Sequence, residues 1–84
     1  DQLWETLSGV MRYWRRRLPN TPIWLLSPLA EGADQLAAEV LLTFRKADPD
    51  GFRLIAPLPM ARAEYEADFS AEGLARFREL AAEA

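Results

Sequence analysis

Cysteine and histidine are absent from all 84 residues. That excludes disulfides, thiolate nucleophiles, imidazole bases and the usual zinc ligands together. Any chemistry must come from carboxylates, hydroxyls, arginine, lysine or the backbone. No apolar run approaches the roughly 20 residues that span a bilayer. No charged stretch followed by an apolar one opens the chain, so no signal peptide is read. These absences lead us to expect a cytoplasmic domain with no membrane partner, no metal and no cofactor. Lysine is scarce as well, with Lys46 alone.

A chain this short forms one small domain. It buries roughly 60–65% of its extended surface, so the core is modest. Half the residues are apolar and 27% are charged, an ordinary globular balance that argues against disorder. The net charge is −3. Residues 1–22 carry Arg12, Arg15, Arg16 and Arg17 against Asp1 and Glu5, and the remainder is acidic. General nucleic-acid binding is not expected of such a chain.

Leu3, Leu7, Val10, Met11, Trp14 and Leu18 recur at helical spacing, with Trp4 beside them, and predict a helix from Gln2 to Arg17. Arg15-Arg16-Arg17 falls in its last turn, where cations meet the negative helix end; the alternative reading is an anion or nucleic-acid patch. Pro19 and Pro22 stop the helix. Ile23-Trp24-Leu25-Leu26 reads as a strand, and its continuous apolarity predicts helices on both faces. A second helical stripe follows: Ala33, Leu36, Ala37, Val40, Leu41 and Phe44. Asp48-Pro49-Asp50-Gly51 reads as a turn in which Gly51 takes a positive φ. Phe52 to Ala56 is the next strand. The spacing is that of one βαβ unit, so the strands should be parallel. A short helix over 62–69 stacks Tyr65 on Phe69, and Ser70 caps a last helix that tolerates Gly73 in its first turn. The expected fold class is α/β, a Rossmann-like three-layer fragment of order α-β-α-β-α-α. Two strands leave open edges, so a homo-oligomer or pairing with the rest of a larger chain is expected.

The stretch Ser27-Pro28-Leu29-Ala30-Glu31-Gly32-Ala33-Asp34 joins a strand to a helix, where ligands bind in open α/β sheets. It lacks the glycines and lysine of a phosphate cradle and carries two carboxylates. Glu31 and Asp34 suit a ribose diol or an amine, and Ser27 adds a donor or acceptor. Each residue also has a structural reading: Asp34 steadies a helix start, Ser27 caps a turn, Gly32 lets the chain bend. The second wall would come from Pro57 to Tyr65. Tyr65 suits a base or the core, Arg62 an anion or solvent, and Asp68 a ribose or solvent.

Leu-Ala-Glu-Gly-Ala-Asp after a strand, then Ala-Pro-Leu-Pro-Met, then Glu-Tyr-Glu-Ala-Asp-Phe, resembles the SLOG superfamily of Rossmann-like domains. That group includes the Smf/DprA and LOG families, and the likeness is greatest to its YpsA-like branch. The resemblance spans about residues 3–84 and implies the interior portion of such a domain. It also implies binding of a nucleotide or nucleotide-derived signal by Gly32, Ala33 and Asp34, with Glu31 beside them; the reading of the two loops adds Ser27, Leu29, Ala30, Pro57 and Tyr65 as candidate ligand-binding residues. The Pro-Gly-Gly loop and the Gly-Thr and Glu of the LOG catalytic pattern are absent, so no catalytic residue carries over. The leading expectation is a nucleotide-like ligand sensor. The alternatives are a LOG-like phosphoribohydrolase, with Glu31 stabilising an oxocarbenium-like transition state, and a structural or interaction module.

Overall fold

Asp1 starts the first helix by accepting the N–H of Leu3 on its Oδ1 at 2.8 Å, which satisfies one of the amides a helix start leaves open. The computed structural model describes every residue from Asp1 to Ala84. Helix α1 is Gln2–Arg17, strand β1 is Ile23–Leu26 and helix α2 is Ala33–Ala47. Strand β2 is Phe52–Ile55, helix α3 is Arg62–Glu66 and helix α4 is Ala71–Ala81. The bounds of α1 and β1 coincide with those read from spacing. The strands pair in parallel, Ile23 opposite Phe52 and Leu26 opposite Ile55, and α2 is the crossover. The protein is a small mixed α/β unit.

The end of α1 is tied to the end of α2. Arg15 donates through Nε to Asp48 Oδ2 at 2.7 Å, and through a terminal nitrogen to the carbonyls of Leu18 and Thr21. Of the arginine run, Arg15 thus ties the end of α1 to the turns before β1 and β2. Gly51 does not take the positive φ expected of it; Gly32 is the glycine that does. A Cβ at Gly51 would meet the Asp48 carboxyl carbon at 2.6 Å and Arg15 Nε at 2.7 Å. The turn needs glycine for room rather than for handedness.

Packing is one-sided. Ile23, Leu25, Phe52 and Leu54 face a core with Met11, Val40, Leu41, Phe77 and Leu80. α2 lies on β2, α1 lies on α2 and β1, and α4 lies on α2. The opposite sheet face leaves Trp24 56% and Leu26 63% exposed. The helical cover expected on both faces of β1 is present on one, because successive strand residues point to opposite faces and α1, α2 and α4 share a face. These residues build two layers, not three.

The stripe expected on α1 is also only half covered. Met11 and the unforeseen Ser8 are buried, whereas Leu3, Val10, Trp14 and Leu18 are exposed. A small residue at position 8 lets α1 approach α2, and that approach leaves one apolar shoulder outside. On α2 the buried residues are Gln35, Ala38, Val40 and Leu41. Ala33 is exposed and Leu36 and Ala37 are half-buried, since α2 packs against β2, α1 and α4 together and its buried arc is turned from the one expected. No helix is long and apolar enough to cross a membrane.

Candidate functional site

The chain leaves β1 through a turn with two unusual residues. Leu29 has φ 61°, in the left-handed region, and is fully buried. A bulky residue there is strained, and three contacts hold it. Ser27 Oγ accepts the Leu29 N–H at 3.1 Å and donates weakly to the Asp34 carbonyl at 3.4 Å. Gln35 Nε2 donates to the Leu29 carbonyl at 3.1 Å. Ser27 is therefore buried and committed to the turn. Ala30 is half-buried, and its carbonyl accepts the Gln35 N–H at 3.2 Å.

Gly32 has φ 88° and ends the turn as the N-cap of α2, with no side chain capping the helix. A Cβ at Gly32 would meet nothing within 4 Å. The bulk of a larger residue is thus no obstruction inside the protein, and the constraint is the backbone. Gly32→Val is expected to lose about 1–3 kcal/mol of stability through conformational strain. Urea denaturation measures it, and a change below about 0.5 kcal/mol would mean that the turn relaxes.

Beyond Gly32 the helix begins without partners for its first amides. Gln35 donates back to Ala30 and Leu36 to Gly32. The N–H groups of Gly32, Ala33 and Asp34 find no acceptor in the chain. Asp34 is half-buried in this first turn.

Glu31 turns away from α2. Its Oε1 accepts the Ser70 N–H at 2.6 Å and its Oε2 accepts the Ser70 hydroxyl at 2.7 Å. Ser70 Oγ in turn accepts the Gly73 N–H at 3.0 Å and caps α4. A Cβ at Gly73 would collide with the Glu31 side chain, which explains a glycine where a helix disfavours one. Gln35 adds a second tie, donating to the Gly73 carbonyl at 3.0 Å. The loop after β1 is thus joined to the start of α4 by residues 38 and 39 positions apart. Ser70 and Gln35 belong to this junction although neither was among the expected site residues.

The Ser70 amide, then its hydroxyl, hold the Glu31 carboxyl below its ordinary 4.5, against a slight loss of hydration. A carboxyl depressed by folding contributes its stability in full above the unfolded value. That contribution is lost as pH falls through the lowered folded value. Melting temperature should therefore fall below about pH 4.5, and Glu31→Gln should remove part of that fall. A variant with the same acid profile as the parent would show that the Ser70 contact does not persist in solution.

On the second loop Pro57 is exposed and Tyr65 is half-buried. The Tyr65 ring meets Phe69 edge-on at 5.1 Å between centroids and Phe77 at 5.6 Å. Its phenol is raised above 10.0 by burial first and by the Asp34 carboxylate second. The Asp34 carboxylate is thus near enough for its charge to be felt at the Tyr65 phenol. In a Tyr13→Phe background, Asp34→Asn should lower the Tyr65 pKa toward its ordinary value without reaching it. Alkaline absorbance titration reads the shift, and an unmoved pKa would separate the two groups. A phenol raised by folding contributes stability below about 10 that is lost as pH rises through the higher folded value. Arg62 lies over the Phe77 ring at 5.3 Å and pairs with Glu66 at 2.7 Å, while Glu64 and Asp68 are exposed.

A larger cleft, about 760 Å³, lies elsewhere, among Trp4, the second half of α2, Pro49 and α4. Its charged lining is largely paired internally: Arg45 with Glu83 at 2.5 Å, and Arg76 with Glu39 and Glu79. Volume favours that cleft, but the unpartnered polar groups favour the loop after β1, and a small polar ligand is bound by groups rather than by space.

No protein-family model matches the chain, and no curated protein or solved structure matches it either. The site stands on its own chemistry.

Proposed function

We propose that this is a non-catalytic ligand-binding domain of the SLOG type, and that a nucleotide or nucleotide-derived molecule sits against the loop after β1. The observation that carries the reading is the start of α2, where the amides of Gly32, Ala33 and Asp34 lack acceptors beside a carboxylate and a tyrosine. N–H groups left open at a helix start can take an acceptor oxygen of the ligand. Asp34 takes a hydroxyl or amine, and Tyr65 offers the edge of its ring. Both loops leave the same end of parallel strands, the usual crevice for such ligands. The left-handed Leu29 adds support, since backbone strain gathers at binding loops.

Both oxygens of Glu31 accept hydrogen bonds from Ser70, which hold the carboxylate against the start of α4. A hydrolase reading would require that carboxylate unbound, so binding without turnover is favoured. The site is defined by Asp34, Tyr65 and the three amides, with Ser27, Leu29, Ala30 and Glu31 shaping it.

Isothermal titration with nucleoside mono- and diphosphates, dinucleotides and free nucleosides tests the reading. At least one should bind, and Asp34→Asn should weaken it by about 1–3 kcal/mol. Absence of binding to every member at millimolar concentration, or binding indifferent to Asp34→Asn, would refute it. Release of free base that Glu31→Gln abolishes would establish an enzyme instead.

A further inference from the structure

We propose that the open edge of β1 seats a second copy of this chain, giving an antiparallel β1–β1 pair about a two-fold axis beneath two facing α1 helices. The Ile23 N–H reaches Gly51 at 2.8 Å and the Ser27 N–H reaches Ile55 at 2.9 Å. Alternate residues of a strand face the same neighbour. Trp24 and Leu26 therefore direct their N–H and C=O groups away from β2, to an edge where nothing in the chain pairs with them.

The outward residues lie two apart, with Leu25 between them. A two-fold axis at Leu25 sets Trp24 opposite Leu26 of the second copy, and Leu26 opposite its Trp24. Each opposed pair exchanges both backbone hydrogen bonds, as one class of antiparallel pairs does. The edge is thus its own complement. Two strands of two hydrogen-bonded units become one sheet of four strands.

Side chains agree with the backbone. At 100° per residue, Leu3, Val10 and Trp14 fall on one narrow stripe of α1, on the side of Leu7 away from Ser8 and Met11. Ser8 and Met11 are the buried residues of α1, and α1 packs on α2. The stripe therefore projects from the flank away from α2, above the β1 edge. On the bare sheet face Trp24 and Leu26 gain each other across the axis. Arg53 lies 5.3 Å from the Trp24 ring centroid, and 56% of that residue still remains exposed.

The area is of the right order. Leu3, Val10, Trp14, Leu18, Trp24 and Leu26 are 42–63% exposed. Together they offer roughly 600 Å² per copy, against about 800 Å² per partner in an interface of ordinary size. Glu5 lies on the other side of α1, so no carboxylates of the two helices are brought face to face. An isologous contact closes on itself and stops at a dimer.

Sedimentation velocity of the 84-residue chain from micromolar to near-millimolar concentration tests the proposal. A monomer–dimer equilibrium is expected, with a blue shift of tryptophan emission as dimer forms. Leu26→Lys and Trp14→Glu should each raise Kd at least tenfold while circular dichroism keeps the parent helix content. Met60→Glu alters an exposed apolar residue outside this patch, and it should leave Kd within twofold. A monomer at every concentration, growth beyond a dimer, or a dimer weakened by Met60→Glu but not by Leu26→Lys would overturn the proposal.

Discussion

Phe77→Ala is expected to lower stability by roughly 3–5 kcal/mol, the range for removing a fully packed aromatic ring. Phe77 is fully buried and touches two other rings, Tyr65 at 5.6 Å and Phe69 at 5.0 Å between centroids. It is the largest wholly enclosed side chain in the protein. A domain of 84 residues has about 4–13 kcal/mol of total stability. The loss therefore brings the chain close to unfolding. Phe77→Leu, which keeps most of the volume, should cost under about 1.5 kcal/mol. Urea denaturation separates the two variants by their midpoints. Equal midpoints would mean that the ring cluster collapses around the vacancy and that α4 is held by its polar ties.

Gln35→Met should cost about 2–3 kcal/mol although it preserves length and shape. Its Nε2 serves the carbonyls of Leu29 and Gly73. Gly73 lies inside α4, so its carbonyl keeps a helical partner, whereas that of Leu29 keeps none. A buried carbonyl without a donor loses about 1–3 kcal/mol, and loss of the second bond adds to that. Leu29, already left-handed, should then relax and expose the turn. The same substitution at an exposed helical site would be nearly silent, so a change under about 0.5 kcal/mol would place Gln35 in solvent.

Much of the architecture was legible because it is local. The apolar period from Leu3 to Leu18 and the stop at Pro19 and Pro22 mark a helix from Gln2 to Arg17, and α1 occupies those bounds. The parallel pair followed from the length between the apolar runs. Ser70 as a cap and Tyr65 on Phe69 were likewise readable within a few residues. Other features depend on distant partners. Glu31 resembles a ligand carboxylate until Ser70, 39 residues on, takes both of its oxygens. Gly73 looks like a weak point of α4 until the Glu31 side chain fills the place of its missing Cβ. Gln35 shares its face of α2 with Ala38 and Leu42 but also with Glu39, so its burial had no clear signal in the sequence. Which faces would remain bare was beyond reach. Trp24 and Leu26 are as apolar as core residues, and composition does not state what covers them.

The double tie between the loop after β1 and α4 also bears on how the protein moves. Segments that share their anchors open together, as one cooperative unit. Breaking Glu31 from Ser70 and Gln35 from Gly73 frees both the turn at Leu29 and the first turn of α4. Amide hydrogen exchange in Leu74–Leu80 should then report on the loop, although those residues line none of it. A molecule seated on the α2 start would slow exchange in α4, and a lesion in α4 would in turn loosen the loop.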